Sequence, residues 1–324
     1  MMSSKVRVAF IGAGNMANMV HYPSLASFDD VEIVGICDID SKALHSTADK
    51  YRITNRYTNY KEMIEEVKPV AVYAIGQPHI LYDTWIWCLN MGVHLYIEKP
   101  LGMTIHQARA LAYTAEKNHC ITQVSFQRRS SPMVTQLREK CLEKGPITHA
   151  VCRFYKSEIQ DYLQARDRML DDTVHSIDTL RWMCGGEVIK VESHTKRVQV
   201  SDINFISATL HFDNGSTGYL INSWSSGRRI FAVEMHSPTI CVEAEHENNG
   251  YVYSDGDTVG IKYNAREMAG SNELYIYGGF QAKHREFIDC IKAGTQPSST
   301  FSDALKTMEV AEIILAQSLL SERR

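Results

Sequence analysis

The run Asp171-Asp172-Thr173-Val174-His175-Ser176-Ile177-Asp178-Thr179-Leu180-Arg181-Trp182-Met183 holds two carboxylates at helical spacing from an imidazole. On a helix, Asp171 and His175 share one face, and Asp178 lies one turn beyond His175 on roughly that side. A histidine near neutral pKa can take the proton of a carbinol as its hydride leaves, while a neighbouring carboxylate orients the ring or grips an adjacent hydroxyl. The plainer alternative makes Asp171 or Asp172 an N-cap and His175 an interior histidine. A second group, Glu98-Lys99-Pro100-Leu101, places an ammonium where it could stabilise a developing alkoxide. Proline's fixed φ, and the restriction it puts on Lys99, would aim that side chain in one direction. The third group is the turn Gly12-Ala13-Gly14-Asn15-Met16-Ala17, followed 21 residues after Ala17 by Asp38. Glycines let backbone N–H groups approach a pyrophosphate at a helix N-terminus, and Ala17 is small enough to replace the third glycine of the pattern. Asp38 is placed to accept hydrogen bonds from both ribose hydroxyls and to repel a 2′-phosphate, which favours NAD over NADP.

The elements that must hold these groups change texture along the chain. Up to about residue 125, short apolar runs at Lys5–Ile11, Val31–Cys37, Val70–Ile75, His94–Ile97 and Ile121–Ser125 read as strands. They alternate with helical patterns at the glycine turn, Ser41–Tyr51, Tyr60–Val67, Tyr82–Met91 and Thr104–Asn118, as in a doubly wound parallel sheet. Gln77-Pro78 and Glu98-Lys99-Pro100 then fall beyond the carboxyl ends of strands, where such sheets bind ligands. From residue 126 the strands lengthen and alternate in polarity between turn signals such as Asp213-Asn214-Gly215 and Asp255-Gly256. Helices interrupt or close this part near Asp172–Met183, Gly279–Ala293 and Ser302–Leu320. The expected fold is α/β: a Rossmann domain over 1–125, and over 126–324 an α+β domain with a large open, mainly antiparallel sheet. The last helix is a candidate to pack back on the first domain.

A chain of 324 residues favours two domains, and 44% hydrophobic with 22% charged residues fits a globular enzyme. The net charge of −4 provides no attraction to nucleic acid. Eight cysteines stand singly without a C-x-x-C pair, which argues against a zinc site or a disulfide framework and for a reducing compartment. Neither a signal-peptide core nor a membrane span is recognisable, so a cytoplasmic location is expected. The open sheet face argues against a monomer.

Together the three groups resemble the glucose–fructose oxidoreductase, inositol dehydrogenase and rhizopine-catabolism (Gfo/Idh/MocA) family of NAD(P)-dependent dehydrogenases. The resemblance runs from the glycine turn through Glu98-Lys99-Pro100 and the Asp-x-x-x-His-x-x-Asp pattern to Phe287-Ile288-Asp289-Cys290-Ile291-Lys292-Ala293-Gly294. It implies Lys99 and His175 as the catalytic pair, Asp171 on the substrate and Asp178 supporting His175. Gly12, Gly14, Asn15, Met16, Asp38, Gln77, Pro78, Glu98 and Lys99 form the implied cofactor set. The implied reaction is NAD-dependent oxidation of a secondary ring hydroxyl of a sugar, glycoside or cyclitol, and the implied assembly is a homodimer or homotetramer through the second domain's sheet. The alternatives are redox-neutral glycoside cleavage or epimerisation through transient oxidation, and a non-catalytic NAD-dependent regulator. Three places depart from the family pattern: Gln77 replaces Thr before Pro78 with Tyr82 replacing the His a few residues later, Thr173 replaces Gly, and Ala165-Arg166-Asp167-Arg168 replaces a glycine run. Arg166 and Arg168 form either a solvated loop or a site for an acidic sugar. Arg128, just after the last Rossmann strand, is a candidate for touching cofactor or substrate, and Tyr155 and Trp224 are candidates for core or pocket wall.

Overall fold

Short apolar runs, most of them buried on both faces, form the parallel sheet that such runs require: β1 (Val6–Ile11), β2 (Val31–Cys37), β3 (Arg56–Tyr57), β4 (Ala71–Ala74), β5 (His94–Ile97) and β6 (Thr122–Val124). Their order, β3-β2-β1-β4-β5-β6, reverses direction at β1, beside the glycine turn. The structure, a computed structural model, describes residues 5–162 and 165–321. The chain folds as two units: one runs to Ser125 and takes in Leu274–Ile276 and Phe280–Leu305, and the other holds Phe126–Glu273, Tyr277–Gly279 and the chain from Lys306.

In the first unit the glycine turn leads into a π-helix, Ala17–His21, continued by α1 (Tyr22–Ala26). Then follow α2 (Ser41–Tyr51), α3 (Tyr60–Val67), α4 (Pro78–Asn90) and α5 (Ile105–Lys117). Asp40 caps α2 by accepting from the backbone N–H groups of Lys42 and Ala43, at 2.9 and 3.2 Å. α4 starts four residues before the Tyr82 suggested by periodicity, because Pro78 is pre-set for the first helical position.

The second unit adds a helix that the strand-rich reading passed over, α6 (Pro132–Lys144), signalled by Pro132 at its start and buried Met133, Val134, Leu137 and Cys141 along one stripe. After β7 (His149–Ser157) come a π-helix, Met169–Thr173, and α7 (Val174–Cys184). The sheet continues with β8 (Val188–Lys196), β9 (Phe205–Phe212), β10 (Thr217–Ser223), β11 (Ser225–Ser237), β12 (Ile240–Glu245), β13 (Asn249–Ser254) and β14 (Ile261–Asn264). Its order is β14-β13-β12-β11-β7-β10-β9-β8, antiparallel throughout except for β7 with β10. Residues alternate along each strand, so Ala150, Cys152 and Phe154 face the helices while Val151, Arg153 and Tyr155 face the other, half-exposed side. Four helices finish the chain: α8 (Ala265–Ala269), α9 (Leu274–Tyr277), α10 (Phe280–Ala293) and α11 (Phe301–Ser321). From α10, Phe287 and Ile288 enter the core of the first unit with Phe10, Tyr22, Tyr73 and Tyr96, where the Phe10 and Tyr22 rings stack at 4.0 Å.

Candidate active site

At Gly12 φ is +109°, and a Cβ there would stand 2.0 Å from the carbonyl oxygen of Ile75, so only glycine fits. Gly14 is exposed, and a Cβ there would touch nothing within 4 Å, which leaves the backbone of the turn open to a ligand. Asp38 closes the turn from the end of β2: one carboxylate oxygen accepts from the Ala13 N–H at 2.6 Å, the other from the Asp40 N–H at 2.8 Å. Each oxygen keeps a second lone pair for a ribose hydroxyl. Two residues outside the sequence reading fix the turn. Asn18 donates to the Ala13 carbonyl and to Thr47 Oγ1, both at 2.8 Å, and the Tyr22 hydroxyl donates to the Gly12 carbonyl at 3.1 Å. Asn15 and Met16 begin the helix, and Gln77 stands exposed ahead of buried Pro78. This glycine cradle with its carboxylate fits the pyrophosphate and adenosine ribose of a dinucleotide.

Lys99, half-buried, follows β5 and precedes Pro100 through a cis peptide bond. Glu98, one of the implied cofactor residues, is 9% exposed, and its Oε1 faces His21 Nε2 at 2.9 Å. On the same ring, Nδ1 lies 3.0 Å from His284 Nε2. Burial, with His21 beside it, holds His284 well below the ordinary histidine range, so its ring is neutral. A buried line of His284, His21 and Glu98 thus anchors the strand end that carries Lys99. Its two histidines are 263 residues apart, which is why spacing offered no signal for it.

In the second unit the expected continuous α-helix is a π-turn at Met169–Thr173 followed by α7, so the simple four-residue ladder from Asp171 to His175 is widened. Asp171 accepts from the Tyr162 hydroxyl at 2.6 Å and pairs with Arg166 at 3.0 Å. Burial and the Asp171 carboxylate together push the Tyr162 phenol above its ordinary range, so it remains a donor. His175 is 7% exposed and meets the Phe126 ring edge-on at 6.2 Å. Its helix is pinned to β10: Ser176 Oγ donates to Asn222 Oδ1, and Asn222 Nδ2 donates to Thr173 Oγ1, both at 3.0 Å. Thr173, where the family pattern has glycine, is therefore a buried link in this network. Asp172 accepts from Trp224 Nε1 at 2.8 Å and pairs with Lys156 at 2.7 Å. Trp224 is thus a tethered core residue, and Lys156 is a half-buried cation that the sequence reading did not single out.

The fold gives several of these residues definite partners. Asp178 forms a two-pronged, buried ion pair with Arg129, including Nε to Oδ2 at 3.0 Å. Arg166, with its side chain 18% exposed, pairs with the Asp171 carboxylate at 3.0 Å. Arg168 is 2% exposed, pairs with Asp202 at 3.0 Å and donates to the Gln160 carbonyl at 2.6 Å, so it braces its own loop. Tyr155 stands on the half-exposed sheet face, opposite Phe154 and the helices that carry His175, and is not a wall of that cluster.

Arg128 lies over the Phe231 ring, 3.7 Å from its centroid, and lines a recess of about 130 Å³ with Arg229, Glu245, His246 and Glu247. Burial lowers the guanidinium to about 10, so it stays cationic at neutral pH. His246 is 2% exposed, and burial with Arg128 beside it lowers its pKa to about 3 from 6.5. Because the unfolded chain then binds the extra proton, stability from this site is full above the unfolded value and is lost as pH falls toward 3. The unfolding free energy should fall from about pH 7 to about pH 4.5, and His246→Gln should shrink that fall by at least ~1 kcal/mol, as measured from denaturant unfolding at the two pH values. An unchanged pH dependence in the variant would show that His246 does not titrate with unfolding.

Residues 6–126 match the family described as an oxidoreductase family with an NAD-binding Rossmann fold, and residues 143–237 match the GFO/IDH/MocA C-terminal domain. The chain is 29% identical to D-glucoside 3-dehydrogenase of Escherichia coli over 60% of its own length and 59% of that protein. It is 24% identical to myo-inositol 2-dehydrogenase of Thermotoga maritima over 92% of each. Among solved structures, a dehydrogenase from Chromobacterium violaceum superposes with a TM-score of 0.89 at 20% identity, over 99% of this chain and 97% of that one.

Proposed function

The chain belongs to the Gfo/Idh/MocA family of oxidoreductases, and from that premise we propose that it oxidises a secondary ring hydroxyl of a sugar, glycoside or cyclitol, using NAD. The observation that carries the reading is the glycine cradle closed by the Asp38 carboxylate on the Ala13 N–H. When bound, NAD supplies the hydride acceptor. Lys99 hydrogen-bonds the reacting oxygen and favours its negative charge. His175 takes the hydroxyl proton at a ring nitrogen. Asp171, oriented by Tyr162 and Arg166, accepts from a neighbouring hydroxyl. With Arg166 and Arg168 engaged by Asp171 and Asp202, neutral polyols suit this site better than uronic acids.

The test is NADH absorbance from purified protein with NAD and a panel of inositols, hexoses, glycosides and uronic acids, with His175→Ala as control. A signal on neutral polyols that the control abolishes supports the proposal. Silence across the panel despite measured NAD binding overturns it in favour of redox-neutral or regulatory use of the same cofactor.

Cofactor choice gives a separate test. Asp38→Asn keeps an acceptor for the Ala13 N–H but removes the charge that would face a 2′-phosphate. The ratio of NADP to NAD affinity should rise by about tenfold or more, since one like charge at close range costs over ~1 kcal/mol. Equal ratios in titrations of both proteins would remove Asp38 from the discrimination.

A further inference from the structure

β11 and β12 form a hairpin whose two-residue loop is Pro238-Thr239, with Thr239 at φ +64°. Ser237 pairs with Ile240, His236 with Cys241, and Glu234 with Glu243. Val233, Met235, Val242 and Ala244 are buried on the helix-covered side, so Glu234, His236, Cys241 and Glu243 stand together on the half-exposed face. A carboxylate, an imidazole and a thiol therefore meet near the loop end of two adjacent strands.

Their donor atoms, one from each of Glu234, His236 and Cys241, all lie within 4.8 Å of one another. Cys241 Sγ is 3.7 Å from His236 Nε2, and Glu234 Oε1 is 2.8 Å from the same nitrogen. Around tetrahedral Zn²⁺ an imidazole nitrogen and a thiolate sulfur stand about 3.6 Å apart, and a nitrogen and a carboxylate oxygen about 3.4 Å. The sulfur–nitrogen pair is already at that spacing. The oxygen must withdraw by roughly half an ångström, which a partly exposed glutamate can do by a small χ rotation. The imidazole is held in plane by His149, its partner across β7, whose ring stacks on it at 4.0 Å and 10°. Charge also favours a cation: the carboxylates of Glu234 and Glu243 share the face with Cys241 and disfavour its bare thiolate. A divalent ion would reverse that balance and bind the thiolate.

We propose that Glu234, His236 and Cys241 form a three-ligand site for a borderline-soft divalent cation, best matched by Zn²⁺, with a fourth position for water or an exogenous donor. Nitrogen, sulfur and one carboxylate oxygen are the donor set of zinc, whereas magnesium and calcium take oxygen. The ligands come from two strands, so the bound ion clips the hairpin that carries them. The site belongs to the second unit's sheet and is independent of the dehydrogenase reading.

Full-length protein freed of metal with a chelator is titrated with Co²⁺ and then with Zn²⁺. One equivalent of Co²⁺ should produce a thiolate-to-cobalt charge-transfer band and the intense visible bands of a tetrahedral site, and Zn²⁺ should displace it. Cys241→Ser should abolish the charge-transfer band and weaken Zn²⁺ binding at least tenfold, and His236→Gln should weaken it comparably. Cys290→Ser, a change at the other half-exposed thiol, should alter neither. Zn²⁺ should raise the melting temperature of the unaltered protein and leave that of Cys241→Ser unchanged. No binding at micromolar cation, or a band that survives Cys241→Ser, would overturn the site and leave an ordinary histidine–glutamate hydrogen bond on a sheet face.

Discussion

His175→Ala should lower kcat for polyol oxidation by about 10²- to 10⁴-fold, the usual contribution of a positioned general base, with the Kd for NAD changed less than about twofold. The two effects separate because the glycine cradle is assembled within the first unit, from Gly12, Ala13, Asn18 and Asp38, without His175. Nor should the substitution unfold its own helix. That segment is held by Ser176, Asn222 and Thr173, whose hydrogen bonds do not involve the imidazole. On the proposed role of Lys99, Lys99→Met should act in the same direction, because it removes the ammonium that would favour an alkoxide while nearly keeping the length of the side chain. In the unaltered protein, log kcat against pH should show an acid limb from the base, and His175→Ala should lose that limb. Near-normal turnover in both variants, measured by NADH formation with intact NAD binding, would sink the assignment.

Arg129→Met should destabilise the second unit by about 3–5 kcal/mol, the cost of leaving a buried carboxylate without its cation. The pair joins the short helical turn at Gln127–Ser130 to α7, and both side chains are nearly inaccessible to water. The instructive comparison is Arg129→Met with Asp178→Leu. Replacing both charges by apolar groups removes the desolvation penalty along with the attraction, so the double variant should recover at least half of the loss. Denaturant midpoints for the three proteins provide the check. If the double variant is no more stable than Arg129→Met, then Asp178 does not owe its cost to unpaired charge.

The parts of the site that could be read in advance are those whose requirements are local. Gly12 must be glycine because the backbone there takes a positive φ beside the Ile75 carbonyl, and a strand, a turn and a helix start in contiguous residues announce that need. Asp38 follows because β2 is the next strand and its end abuts the turn. The limits of α2, α3 and β5 agreed with periodicity because capping residues and apolar stripes are also local signals. α6 was passed over even though its signals were present, because the surrounding strands dominated the texture.

Side-chain partnership is a different kind of information. The residue types of Arg129, Arg166 and Arg168 are alike in sequence, yet one pairs with Asp178, one with Asp171 and one with Asp202. Each choice depends on which carboxylate lies within about 3 Å after folding, at separations of up to tens of residues that no spacing rule encodes. The same applies to His21 with His284, and to Cys241 facing His236 across a hairpin. Even the face occupied by Tyr155 turned on the pleat, since a shift of one residue in a strand moves a side chain to the opposite side of the sheet. The sequence alone therefore determined the two kinds of sheet and the glycine turn closed by Asp38, and it singled out Lys99, Asp171 and His175 as the residues to propose. Their partners were decided only by tertiary structure, because charge pairing is set by distance in space and backbone conformation by neighbours along the chain.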